Sequence, residues 1–515
     1  MMGPFSNEPM TDFSAADNRR ALEEALANIK RQYGNAYPLL IGGRAIASES
    51  MKPSVNPAQH GETVGLVAQA DRKRAVEAID TAAAAFERWK RVLPSARART
   101  LYKAAALLRQ RKHEFSAWLV AEAGKTWAEA DADTAEAIDF LDYYGREAER
   151  LCVPQPLVRI AGEDNEWTYV PLGVGVIIPP WNFPLAIMAG MTAAAVVAGN
   201  TAVLKPASAT PVVAAQFVRL LHDAGLPEDV VQFVPGSGGE IGDTLIDHPL
   251  TRFVSFTGSM EVGLRIVERA ARLQPGQRWI KRVIAELGGK DAIVVDRDAD
   301  LVAASQGIVQ SAFGYAGQKC SACSRAIIHA DVYEEVTERV AALTRRLMIG
   351  NPAQYGTDVG PVIDRAAYNK IRQYIAAGKR EGRLLVGGGM DDSAGYFVEP
   401  TIIADVESHA SVAQDEIFGP VLACIQADDF GHALTIANDT PYGLTGAVYS
   451  NRRERLELAR DMFHVGNLYF NRKCTGALVG VHPFGGFNLS GTDSKAGGPD
   501  YLLQFMQGKV VSEKM

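Results

Sequence analysis

TAVLKPASATPVVAAQFVRLLHDAGLPEDVVQFVPG, residues 201–236, decides the fold class. TAVLKPA (201–207) is a β-rich run, residues 211–224 carry apolar side chains every three or four positions, and VVQFVPG (230–236) is β-rich again. Strand, helix, strand at this spacing makes two parallel neighbours in a sheet covered by the helix. The same grammar extends outward. GVGVIIPP (173–180) precedes it, RFVSFTG (252–258) follows with a helical pattern over 261–273, and DAIVVD (291–296) opens a second alternating set that runs to GNLYFN (466–471). Two α/β domains meeting near residue 286 are expected. Helical periodicity over 17–33, 71–90, 95–150 and 332–347 supplies covering layers. The tail, 492–515, ends in YLLQFM and KVVSEKM and reads as an edge strand needing a partner, with another subunit as one candidate.

Composition narrows the function classes. The 515 residues are 47% hydrophobic and 22% charged, enough for two or three cored domains. A formal charge of −7 with no basic tract argues against nucleic acid. No apolar run reaches the roughly 18 residues of a membrane span; MAGMTAAAVVAGN (188–200) is too short and too rich in alanine. The N-terminus has no apolar secretory core. Five cysteines, at 152, 320, 323, 424 and 474, make no disulfide scaffold, so a reducing, cytoplasmic setting is expected.

Four segments leave or enter strands, where open α/β sheets place ligands. PPWNFP (179–184) is stiffened by proline and presents the Asn182 amide, though it reads equally as a rigid strand exit. FTGSMEVG (256–263) puts Ser259 where a helix begins after Gly258, an anion-binding geometry or a plain turn. ELGGKDAIVVD (286–296) offers Glu286 ahead of two glycines, a flexible base or a solvated carboxylate. GQKCSACSR (317–325) holds Cys320 and Cys323. A zinc site lacks two further ligands at suitable spacing, and a redox pair lacks a thioredoxin-like unit. A single nucleophile, Cys320, remains, with glycine before it for access and Lys319 beside it to favour thiolate.

PWNFP, KPA, FTGS-x-x-VG, ELGGK, GQKC and EIFGP (416–420), in this order, resemble the aldehyde dehydrogenase superfamily over nearly the whole chain from about Tyr37. The N-terminal arm, AEAIDFLDYY (135–144) and NRKCTGALVGVHPFGGFNLSGT (471–492) resemble the branch that oxidises L-glutamate γ-semialdehyde to L-glutamate, the second step of proline catabolism. The resemblance implies an α/β, aldehyde-dehydrogenase-like fold with two Rossmann-type domains and a small β oligomerisation element. Its parts are an arm at 1–36, a dinucleotide-binding domain at 37–150 and 172–285, a catalytic domain at 286–491, and an oligomerisation hairpin and tail at 151–171 and 492–515. The tail would join across a dimer interface.

It also implies roles. Cys320 attacks the aldehyde, Asn182 with the Cys320 backbone N–H holds the oxyanion, and Glu286 activates water. Pro180, Trp181, Lys205, Ser208, Gly258, Ser259, Glu416 and Phe418 hold NAD; Ser208, standing where relatives often have an acid, implies that NADP is tolerated. The substrate meets Phe183, Ser321, Gly476, Ala477, Phe484 and Glu136, its carboxylate resting on a nest of amides at Thr475, Gly476 and Ala477. Cys323 is a packed bystander, and no metal is required. The implied partners are a small-molecule substrate, further copies of the chain as a homodimer or larger homo-oligomer, and a proline dehydrogenase, with no nucleic acid and no membrane. Rival readings are a dehydrogenase of another carboxylated aldehyde such as succinate semialdehyde, and a non-catalytic structural homologue.

Overall fold

The computed structural model describes residues 3–515; Met1 and Met2 of the expected arm lie outside the described residues. Two seven-stranded sheets form the frame. Across the first, the order is Arg282–Glu286, Thr251–Thr257, Val174–Ile178, Thr201–Leu204, Val231–Phe233, Leu39–Ile41 and Arg44–Ile46. The first five are parallel and the last two antiparallel. The strands within 201–236 pair with Ala202 opposite Val231 and Leu204 opposite Phe233, and helix Pro211–Asp223 joins them. Their side chains are buried on both faces, the pattern of a parallel strand covered on both sides.

The chain builds this sheet outward from Val174–Ile178 in one direction, then returns to build Thr251–Thr257 and Arg282–Glu286 on the other side. The reversal leaves a crevice at the carboxyl ends of Val174–Ile178 and Thr251–Thr257, the position where such sheets bind ligands. The second sheet runs Arg383–Val386, Thr401–Ala404, Val421–Ala427, Arg325–His329, Ala292–Val295, Thr445–Tyr449 and Asn467–Phe470, parallel except for the first.

Two expectations change in detail. The periodicity over 95–150 is three helices, Pro94–Gln110, Lys112–Ala123 and Trp127–Leu151. Gly124 ends the second of these at φ +67, and a Cβ there would stand 2.9 Å from both Pro361 Cγ and Pro57 Cγ. The terminal strand Met506–Lys514 pairs along its length with Glu163–Pro171 of the same chain, forming a two-stranded ribbon apart from both large sheets. The preceding turn, Tyr501–Phe505, is not part of this ribbon; Tyr501 stacks on Tyr144 at 5.3 Å and fills the core with Leu502 and Phe505. In the arm, Leu22, Ala25 and Ile29 of helix Ala16–Lys30 join that same core. Among the described residues no helix is long and apolar enough to cross a membrane.

Candidate active site

Strand exits of the first sheet meet strand entries of the second, and two cavities form along the seam. Cys320 lines both. The larger, about 680 Å³, is walled by segments following strands of the first sheet, including Pro180, Trp181, Lys205, Gly258 and Ser259, and by Glu416 and Phe418 from the other side. Of the expected dinucleotide residues only Ser208 is elsewhere. It sits in the turn before helix Pro211–Asp223 and lines a separate crevice with Lys52, Gln69 and Pro235; Ala207 takes the wall position instead.

The larger cavity fits a dinucleotide by its donor set. Ser259 caps helix Met260–Ala271 through its hydroxyl to Val262 N at 3.4 Å, placing a positive helix end at the wall. Lys205 is buried, and burial together with Lys52 lowers its pKa to about 8, an ammonium in need of hydrogen-bond acceptors. Glu416 is pinned by Gly289 N–H at 3.0 Å, and its own carbonyl accepts from Lys370 Nζ at 2.7 Å. Gly288 makes room for it, since a Cβ would stand 2.4 Å from Glu416 Oε1. Trp181 and Phe418 meet edge to face at 5.4 Å.

The smaller cavity, about 100 Å³, gathers all six expected substrate residues, Glu136, Phe183, Ser321, Gly476, Ala477 and Phe484, together with Glu286 and Cys320. Its remaining wall is largely apolar, from Phe140, Ile187, Met191 and Val479. Glu136 projects from helix Trp127–Leu151, and burial, then neighbouring Asp133, pushes its pKa up to about 8.

At the junction, Asn182 Nδ2 donates to Gln318 O at 3.0 Å, tying the proline-rich loop to the cysteine loop and leaving one amide hydrogen free. Tyr315 and Ala316, just upstream, take left-handed φ values of 52° and 51°. Each costs about 1–2 kcal/mol. Gly317 has its own reason to be glycine: its φ is +67 and a Cβ would stand 2.3 Å from Gly419 O, so close approach rather than access to the thiol fixes it.

Electrostatics correct one expectation. Lys319 does not favour the thiolate, because its Nζ pairs with Glu129 at 2.9 Å. Burial, then Asp291, Glu286 and Glu416, pushes the Cys320 thiol well up. The resting sulfur is therefore a thiol that needs a base. Glu286, at the end of strand Arg282–Glu286 and on the same cavity wall, has its pKa raised to about 7 by burial, with Ser494 and Lys495 opposing. That is a suitable value for accepting a proton near neutrality. Cys323 is buried in the core of the second sheet, its Sγ donating to Arg325 O at 3.4 Å.

Three sets of contacts around the site carry no sequence signal. Ser494 Oγ donates to Glu286 Oε1 at 2.5 Å from a stretch read as tail. Lys125, fully buried, pairs with Asp133 at 3.1 Å and lies 4.1 Å over the Phe183 ring. Asp133 in turn accepts from Ala186 N at 2.7 Å, anchoring the chain just after PPWNFP. A lone serine, a Gly-Lys and a helical aspartate carry no local signal.

Residues 45–511 match the aldehyde dehydrogenase family. A 1-pyrroline-5-carboxylate dehydrogenase of Geobacillus thermodenitrificans (strain NG80-2) is 61% identical over 513 residues, 100% of each chain. The solved 1-pyrroline-5-carboxylate dehydrogenase from Thermus with bound NAD superposes with a TM-score of 0.98 at 51% identity, covering 100% of both chains. Proline utilization A (PutA) from Bdellovibrio bacteriovorus gives a TM-score of 0.98 at 42% identity, over 99% of this chain and 53% of that one. On fold, seam and sequence together, the chain belongs to the aldehyde dehydrogenase family.

Proposed function

We propose that the chain is an NAD-dependent dehydrogenase that oxidises L-glutamate γ-semialdehyde, the open form of 1-pyrroline-5-carboxylate, to L-glutamate. The observation that carries this reading is that one thiol, Cys320, is the common wall of a dinucleotide-sized cavity and a small aromatic cavity with a carboxylate and open backbone amides. Relatives of that name at 61% identity over the whole length support the substrate.

In this reading Glu286 takes the Cys320 proton, and Sγ forms a bond to the aldehyde carbon. The oxygen, now negative, is held by the free Asn182 N–H and the Cys320 amide. A nicotinamide dinucleotide bound in the larger cavity supplies the hydride acceptor. Cys320 carries the substrate as a thiohemiacetal before oxidation and as a thioester after it. Glu286 gives that first proton up to solvent and then, as a carboxylate again, takes a proton from water, whose oxygen bonds to the acyl carbon as the C–S bond breaks, releasing glutamate and the thiolate. The Gly476 and Ala477 amides receive the substrate carboxylate, Phe183 and Phe484 flank its methylenes, and Glu136 receives its ammonium. Lys205 and Ser259 hold the adenosine ribose and the pyrophosphate, and Glu416 the nicotinamide ribose. Ser208 lines a separate crevice and does not face this cavity, so it does not set the choice of dinucleotide; NAD is the preferred cofactor, with NADP accepted at lower efficiency.

The proposed division of labour is a dinucleotide-binding body around the first sheet, a catalytic body around the second and a ribbon for self-association. Exposed Val158, Val510 and Val511 on or beside the ribbon support the last of these. The match to about half of a proline-utilization chain supports a proline dehydrogenase as the supplier of substrate, and bacterial relatives support a cytoplasmic setting for this reading. Steady-state oxidation of the γ-semialdehyde with NAD and with NADP, beside succinate semialdehyde and propanal, tests the reading. The γ-semialdehyde with NAD is expected to give the highest kcat/KM; a higher value for succinate semialdehyde overturns it.

A further inference from the structure

We infer that Arg472 is a positioning residue that gives this site its preference for aldehydes bearing a carboxylate, by holding the 475–477 loop with its amide hydrogens toward the small cavity. The inference rests on the reading above that this loop receives the substrate carboxylate.

Arg472 follows strand Asn467–Phe470 and folds back on the loop that comes after it. Its Nη2 donates to Thr475 O at 2.9 Å and to Gly476 O at 3.3 Å, and its Nε donates to Lys473 O at 3.2 Å. The guanidinium is itself fixed, lying 4.4 Å over the Tyr469 ring with Nη1 3.4 Å from His482 Nε2. A planar trans peptide points its carbonyl and the next N–H in opposite directions. Pinning Thr475 O and Gly476 O on the guanidinium side therefore turns the Gly476 and Ala477 N–H groups the other way. Gly476 and Ala477 line the small cavity, and neither N–H has a backbone acceptor among the described residues. Gly476 permits the arrangement with φ +78.

Two adjacent unpaired amides form an anion nest, and a fixed positive charge behind them strengthens it. The next amide is already used, since Leu478 N–H donates to His482 Nδ1 at 3.2 Å. Lys473 adds a second cation, its Nζ 3.7 Å from where a Gly476 Cβ would stand. An arginine suits this place because its rigid fork spans several carbonyls, which the point charge of a lysine does not.

The test compares Arg472→Met and Arg472→Lys with the parent on L-glutamate γ-semialdehyde and on propanal, at saturating NAD. In Arg472→Met, KM for the semialdehyde is expected to rise roughly 10- to 100-fold, the scale of lost hydrogen bonds to a charged group, with kcat little changed. Activity on propanal, which has no carboxylate, stays near parental and reports an intact fold. Arg472→Lys falls between. Parallel losses on both aldehydes in both variants, or an unchanged semialdehyde KM in Arg472→Met, overturn the inference. If the parent enzyme itself shows no preference for the semialdehyde over propanal, the reading of the function fails instead.

Discussion

The two cavities that share Cys320 are built from different kinds of material. The larger is walled mainly by backbone turns at the ends of parallel strands, Pro179–Asn182, Gly258–Ser259 and Leu287–Gly288, each close in sequence to the strand that aims it. The smaller is walled largely by side chains from far-apart segments, Glu136 and Phe140 on one helix, Phe183 after a strand, and Phe484 and Tyr501 near the chain's end, with the backbone at Gly476 beside them. The first is a property of the sheet topology and suits a ligand common to many enzymes. The second is a property of this chain's particular packing and suits one substrate.

That contrast sets an order of effects. Cys320→Ala removes the one atom both cavities need; dehydrogenase activity is expected to fall about 10⁴-fold or more while NAD still binds, as read by tryptophan quenching. Retained turnover would break the comparison at its centre. Glu286→Gln keeps the shape of the buried side chain but cannot take a proton, so kcat is expected to fall roughly 10²- to 10⁴-fold. The pH profile sharpens this. With Glu286 raised to about 7 by burial, the active carboxylate form is scarce below that pH, so kcat rises with pH through about 7 and then levels; the rise is absent in Glu286→Gln. Asn182→Ala removes a donor at the junction and is expected to lower kcat by about 10²- to 10³-fold for charged and uncharged aldehydes alike. Lys205→Met touches only the larger cavity: KM for NAD is expected to rise about tenfold, with KM for the aldehyde unmoved. A change in aldehyde KM there would show that the two cavities are not separable.

The same contrast explains what was legible in the sequence. The five β-rich runs from 173 to 296 are strands, because parallel strands buried on both faces must be short, continuous and apolar. The strand-end motifs with Trp181, Asn182 and Gly258 follow directly from them and line the seam; Glu286 lines it too, but at the end of a strand, Arg282–Glu286, that the five runs do not include. Ser208 did not fall on the larger cavity, since a fixed count of residues after Lys205 does not fix the direction of a side chain once the chain turns. Lys319 misled for a related reason. Adjacency to Cys320 in the chain says nothing about Glu129, 190 residues away, which takes its charge. Ser494 and Lys125 make contacts that only tertiary folding creates, and neither belongs to a motif; Arg472 lies within the 471–492 stretch, but a string of residues does not show that its guanidinium folds back on the carbonyls of 473–476.

One such contact has a temporal consequence. The hydroxyl that grips Glu286 arrives on residue 494, after every strand of both seven-stranded sheets has been made. A nascent chain thus holds its sulfur, its proline-stiffened amide and the shelf of its larger cavity well before it owns the grip on Glu286. Biosynthesis supplies the partner of this carboxylate last.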